Sequence, residues 1–437
     1  MGKKFDLAII GAGISGLTLA YYLKKKGVNV CLIEKSTKAG GVIQTKKING
    51  FICEEGPNTI VLNNNAIINL INDLKIDQKI VISNSQIKNK FFLHKNKIIR
   101  FPNSIMNFIT TPLFNFYSKC KILYGLIIFK NRKHKTIYNF FNSNFGKQFH
   151  DNLIEPFLNG IYAGDTKKMI LEYSLPSLFR IIKKNKSLLY YLLKSKKKTK
   201  RETISFKDGN KTLIEKLKKE NYNNSYYSHE IKNITQNNNK YKIYTKNKEC
   251  FICNKIVSTI SIDKLMELIN HEAKYIKKPN LYNPIDVFHF SYNSIESHKI
   301  PKGFGLLSKR TEKKTFLGIL FSSSIFPHVS PKNKELITIL SGGEKQNYLI
   351  NKDIDILGQI IKKEIKELFK LDKLKLINKK RWVNAIPKYN HEIKNIRKEV
   401  THIEKKYNNL HIIGNFYNGV SVSSCIELAK KMSEKIN

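Results

Sequence analysis

Apolar and polar positions along the chain change rhythm from one segment to the next, and the change is clearest at the N-terminus. Leu7-Ala-Ile-Ile10 is a continuous apolar run with the length of a strand buried on both faces, while Ile14 to Leu23 is apolar nearly all round, as a sheet-covering helix is. Between them lies Gly11-Ala-Gly13-Ile-Ser-Gly16. Lys24 to Lys26 and Gly27 close the helix, since cations suit its C-terminal dipole and a glycine just beyond takes the left-handed cap. A second apolar run, Val28 to Ile33, ends in Glu34. This pattern predicts a complete βαβ unit.

Further on, Lys90 to Pro102 reads as a hairpin, two short apolar strands around a polar turn. From 104 to 130 the chain is rich in Ile, Leu, Phe and Tyr, interrupted by Pro112 and by scattered lysines. That stretch is too broken to span a bilayer. It fits an interfacial helix pair, and equally a helical subdomain burying its aromatics in its own core. Tyr241 to Thr245 and Lys255 to Ile260 have strand patterns, as do Gly303 to Leu307, Phe316 to Phe321 and Leu336 to Gly343. Leu410 to Leu428 reads as strand, glycine loop and serine-capped helix. The fold class expected is α/β (α+β overall), with a Rossmann-like domain, a mixed-sheet domain and an inserted helical domain.

At 437 residues the chain is long enough for two or three domains. Its net charge of +44, from 78 Lys+Arg against 34 Asp+Glu, would suit nucleic acid, an anionic membrane or an anionic substrate. Lysine is spread throughout rather than gathered on one module, so most of this charge reads as solvated surface. No stretch interleaves aromatics with cations on one face, and no nucleic-acid partner is expected. The lysine-rich run 183–200 reads as a solvated loop able to meet anionic lipid. With Met-Gly-Lys-Lys leading directly into a strand at Phe5 and no run of eighteen apolar residues, neither signal peptide nor spanning helix is expected, and a cytoplasmic location follows. Six scattered cysteines read as reduced thiols. Cys250 and Cys253 are neighbouring strand positions with no second pair, so no metal is expected.

The βαβ unit carries the first chemistry. Gly11 makes the tight turn, Gly13 lets a pyrophosphate approach the backbone, Gly16 lets helix and strand pack closely, and Glu34 accepts from a ribose hydroxyl. An acid after the second strand disfavours a 2′-phosphate. The series continues through Gly40-Gly41-Val42 and Glu54-Glu55-Gly56-Pro57-Asn58-Thr59, and with these residues it resembles the FAD-dependent amine oxidase and protoporphyrinogen oxidase superfamily. Pro156-Phe-Leu-Asn-Gly160-Ile-Tyr-Ala-Gly-Asp165 narrows the resemblance to the protoporphyrinogen oxidases.

The resemblance implies bound FAD. Ile14, Ser15, Lys35, Val42, Gly56, Pro57 and Asn58 would join the glycines around it, with Ile231 on the adenine and Gly414, Gly419, Val420, Ser421 and Val422 in the loop at the flavin ring. Val42 stands where many relatives have a cation, and Asn415 where some flavoproteins have an aspartate. The substrate would lie against Gly160, Leu307, Leu320 and Leu340, with Lys90 on a propionate at a place where relatives carry arginine. The implied activity is six-electron oxidation of protoporphyrinogen IX to protoporphyrin IX with molecular oxygen, with coproporphyrinogen III as the alternative substrate. No side chain reads as a catalytic acid or base. The domains implied are 1–85, 203–280 and 381–437 for FAD, 86–102 and 281–380 for substrate, and 103–202 for a helical insertion in peripheral contact with the cytoplasmic face of a membrane. A homodimer stays open.

Overall fold

The computed structural model describes residues 2–87, 89–128, 135–184, 187, 201–276 and 281–436. Most of the lysine-rich run 183–200 lies outside them, as does Lys130.

The βαβ unit forms as its pattern predicts. Strand Lys3–Ile10 pairs in parallel with Val30–Ile33 on one side and with Cys250–Ser258 on the other. Lys240–Thr245 and Ile231–Asn237 continue the sheet antiparallel, and Leu410–Ile412 adds in parallel to Cys250–Ser258. Leu7 and Ile9 pack into one core and Ala8 and Ile10 into another, so the period-two alternation feeds both faces and neither face can be polar. Helix Ile14–Lys25 covers the first face together with the C-terminal helix Val422–Lys435, and Gly27 caps it at φ +78°.

A second seven-stranded sheet has the spatial order Lys375–Pro387, Tyr282–Asn293, Lys334–Gly342, Gly318–Leu320, Gly305–Ser308, Lys90–His94, Lys97–Arg100. The last two are the hairpin read from the sequence. Phe288 and Phe290 point to one face, where helix Ile354–Phe369 buries Leu357, Ile361 and Ile365 against them. Ile285 and Val287 alternate to the opposite face, where they pack with Ala163 and Leu317. Strand Lys375–Pro387 stays paired with Tyr282–Asn293 as far as Pro387, so the boundary expected at 381 falls inside a strand of this sheet.

Between the hairpin and strand Glu202–Phe206 the described residues are mostly helical. Phe140, Phe141, Phe145 and Leu158 form the centre of that core, joined by Leu113, Phe114 and Ile122. The aromatics of 104–128 are only partly absorbed. Ile105, Met106, Phe116 and Tyr117 are 67–81% exposed, and Leu123, Tyr124, Ile127 and Ile128 are more than half exposed, while Phe108, Phe114, Ile122 and Leu126 pack into the helical core. No helix among the described residues is long and apolar enough to cross a membrane.

Candidate active site

Two features of the glycine loop show what it can hold. Gly16 has no room for a side chain, because a Cβ there would lie 2.0 Å from the Gly11 carbonyl oxygen, and Gly11 sits at φ +100° under the Thr259 hydroxyl. Gly13 is the opposite case. A Cβ at Gly13 would meet nothing within 4 Å, so its open side faces free space at the start of helix Ile14–Lys25. No side chain caps that helix, whose first N–H groups point where an anion would lie. The double glycine closes over the same place: Gly13 and Gly40 form a parallel bridge, Gly40 N–H donates to the Ala12 carbonyl at 2.8 Å, and a Cβ on Gly41 would come within 3.4 Å of Gly13 Cα.

Glu34 does more than the sequence showed. Its Oε2 accepts from Ala12 N–H at 2.8 Å and its Oε1 from Ser36 N–H at 2.9 Å, so the carboxylate braces the loop and keeps its remaining lone pairs for a ribose. Lys35 is exposed beside it. Ser15 is buried beside Cys425, where the first helix packs against the last. Ile231 is 7% exposed and packs with Ile10 and Ile33, so its side chain belongs to the core under the sheet rather than to an open groove.

Past this loop lies a cavity of about 420 Å³ between the second sheet, the segment 55–59, the C-terminal loop and the helix Glu155–Tyr162. The first wall is Val42, Glu55, Gly56, Pro57, Asn58 and Thr59, joined by Asn415 and Val420 of the C-terminal loop. Gly56 is obligatory, since a Cβ would lie 1.9 Å from the Val42 carbonyl oxygen. Ser421 caps helix Val422–Lys435 by accepting from Ser424 N–H at 3.1 Å, Val422 is buried beneath it, Gly419 takes φ +108°, and Gly414 is extended. The opposite wall contains Ile285, Val287, Leu306, Leu307, Leu317, Leu320, Leu340 and Ala385. The helix contributes Phe157, Gly160 and Ile161. A Cβ on Gly160 would strike Leu307 at 2.8 Å, so this glycine sets how closely helix and sheet approach. Lys90 stands at the rim with Nζ 5.9 Å from the ring centroids of both Phe157 and Phe304, and it is the one cation lining the cavity among the described residues.

Of the predicted residues, those from Val42, the Gly56 turn, Val420, Lys90, Gly160 and the three leucines line this cavity, while Glu34 and the double glycine gather at the glycine loop and the Ile231 side chain packs in the core. Trp382, Phe304, Ile285 and Val287 were missed. Trp382 is the only tryptophan in the chain, and its Nε1–H donates to the Glu55 carbonyl at 2.6 Å, pinning the Gly56 turn to the second sheet. That uniqueness was the only signal available. The turn before the second wall is held as well. Lys345 lies between Glu155 and Asp165, Asp165 N–H donates to Glu344 at 3.0 Å, and Ala163 is left-handed at φ +49° with its carbonyl accepting from Glu344 N–H at 2.8 Å. All six cysteines are free, and no group of residues able to hold a metal ion occurs among the described residues.

Open space at Gly13 beside an uncapped helix N-terminus, with a ribose-competent carboxylate next to it and an apolar cavity elsewhere in the same fold, is the arrangement of an FAD-dependent oxidoreductase. The model for flavin-containing amine oxidoreductases matches residues 14–437, and the chain belongs to that family and binds FAD. Among its relatives, protoporphyrinogen oxidase 2, chloroplastic/mitochondrial, of Arabidopsis thaliana is 25% identical over 489 aligned residues, covering 100% of this chain and 94% of that protein. Coproporphyrinogen III oxidase of Bacillus subtilis is 24% identical over 461, covering 98% and 97%. A crystal structure of an Exiguobacterium protein, provisionally assigned as a protoporphyrinogen oxidase, shares the fold with a TM-score of 0.85 at 21% identity, covering 100% of this chain and 99% of its own.

Proposed function

We propose that the chain oxidises protoporphyrinogen IX to protoporphyrin IX with bound FAD, using molecular oxygen as final acceptor. The cavity lining carries this reading: a slot walled by leucines, isoleucines and phenylalanines, with a single cation at its rim, suits a flat macrocycle whose vinyl side is apolar and whose two propionates lie together. Relatives named for protoporphyrinogen and for coproporphyrinogen oxidation align over nearly the whole chain, which supports a porphyrinogen as the substrate class. Coproporphyrinogen III carries two further carboxylates, and they would face Ile285, Val287 and Leu340 without a cation to meet them.

When bound, FAD supplies the hydride-accepting chemistry. The protein's share is to bind and exclude water. The glycine loop and the bare helix N-terminus hold the diphosphate, the Gly56 turn and Val420 hold the ring, and Gly160 with Leu307 flattens the space for the macrocycle. Lys90 holds a propionate. Steady-state fluorescence of porphyrin formed from each porphyrinogen tests the assignment: protoporphyrin formed faster is expected, and coproporphyrin formed faster would reassign the substrate. The exposed face of 104–128 is proposed to rest on a bilayer surface, with Lys119 and Lys121 among its apolar residues. Flotation with anionic liposomes checks this, and protein left at the bottom of the gradient would refute it.

A further inference from the structure

Behind the cavity wall lies a second, smaller space. Asn58, Thr59 and Leu320 line both the cavity and a void of about 20 Å³, whose other walls include Glu54, Ser322 and Thr338. This is room for one water molecule, with polar partners on several sides. Ser322 and Thr338 hydroxyls pair at 2.8 Å on its far side. Glu54 is only 6% exposed and carries no ion-pair partner among the described residues. Its Oε1 accepts from Asn210 N–H and its Oε2 from the Thr45 hydroxyl, both at 2.7 Å, which fixes the carboxyl group and leaves one lone pair on each oxygen.

We propose that Glu54 is the proton acceptor of the reaction, taking a pyrrole N–H proton from the cavity through one water seated in this void. The assignment rests on the porphyrinogen reading. Over the three two-electron oxidations three protons leave alongside three C–H hydrides, two of the protons from N–H groups and one from a meso C–H; where an N–H bond breaks its electron pair stays with the macrocycle as a new C=N bond, and an O–H bond forms on the carboxyl group. The C–H hydride removed in the same step is the flavin's share. A carboxyl group enclosed against this void is suited to the task because burial penalises its charged form, and the group is pushed up to about 7. The two hydrogen bonds and Lys211 oppose that shift. The other ionisable groups packed around it are Cys53 and Glu55 on its own strand and turn, Lys46 paired with Glu55, and the neutral imidazole of His289 against the Glu54 backbone. The Thr45 hydroxyl, half-buried at the protein surface, offers the proton its way out.

Glu54→Gln keeps the shape of the side chain and an oxygen for Asn210 N–H, so the fold and flavin content should be retained. The expected result is a kcat lowered by about 10²- to 10⁴-fold with KM little changed, and loss of the limb on which wild-type kcat rises with pH through neutrality. In the wild-type holoprotein a protonated-carboxyl infrared band should vanish as pH is raised through the same range, and that band should be missing from Glu54→Gln. A purely structural Glu54 would move stability and leave the pH limb in place. Wild-type kcat and pH profile in a flavin-loaded Glu54→Gln protein, or no such titrating band in wild type, would overturn the proposal and leave the porphyrinogen reading intact. A wild-type protein inert toward both porphyrinogens would overturn both.

Discussion

Lys90 allows the substrate assignment to be tested by one charge. Its ammonium lies at the mouth of a slot whose other ionisable lining residue, Glu55, is paired with Lys46, and it is flanked by Phe157 and Phe304, so truncation to alanine removes the one cation that lines the cavity among the described residues. A hydrogen bond to a charged group contributes about 1.5–3 kcal/mol, which is roughly a ten- to hundredfold change in an equilibrium constant. Lys90 is exposed, however, and water screens its charge, which puts the expected loss near the lower end, roughly tenfold in kcat/KM. The loss should appear in KM, since a propionate remote from the reacting carbons is held equally in ground and transition states. It should shrink as salt is raised. Lys90→Arg should keep or improve activity, because guanidinium grips a carboxylate through two parallel bonds. The assay is porphyrin fluorescence over a range of porphyrinogen concentrations at two ionic strengths, with flavin absorbance confirming equal loading. An unchanged KM in Lys90→Ala would refute the reasoning, since the carboxylates would then be held elsewhere.

The glycine loop gives two contrasting outcomes. Gly13→Val should fold with the thermal stability of flavin-free wild type yet copurify without flavin, because its side chain fills only the space left for the diphosphate, whereas Gly16→Ala should fall below that stability and lower the yield through its collision with Gly11; flavin absorbance and thermal melts against the wild-type apoprotein separate the two. Acid sensitivity should trace in part to His289, fully buried with no well-formed hydrogen bond at either ring nitrogen and pushed down to about 4 by that burial. Because the unfolded chain binds this proton near 6.5 and the folded one only near 4, the contribution is intact above 6.5 and is lost as pH falls across that window, amounting to roughly 3 kcal/mol, so denaturation of His289→Leu should lose less stability between pH 6.5 and 4 than wild type. Removing Lys345 as Lys345→Met should leave Glu155 and Asp165 facing each other and widen the slot, raising KM without loss of flavin, and Lys345→Arg should restore it; equal KM values in all three proteins would count against that role.

The local parts of this protein were written in the sequence. The strand, glycine loop, helix and closing carboxylate of residues 5–34 depend on neighbours a few positions apart, where steric demand at Gly11 and Gly16 and the vacancy at Gly13 leave little choice of residue. The hairpin at Lys90 and the Ser421 cap were legible for the same reason. The cavity was not. Its walls come from segments as far apart as Val42 and Val420, and a strand such as Tyr282–Asn293, buried on both faces, gives no pattern to say that Ile285 and Val287 face a ligand while Phe288 and Phe290 face a helix. Apolar composition alone could not tell whether 104–128 was core or surface, because the sequence records what a residue is and packing decides what covers it. Glu54 shows the same limit in chemistry. Beside Glu55 it looks like one of two equivalent acids, and only the fold distinguishes them, joining Glu55 to Lys46 and enclosing Glu54 against a water-sized void where desolvation raises its proton affinity.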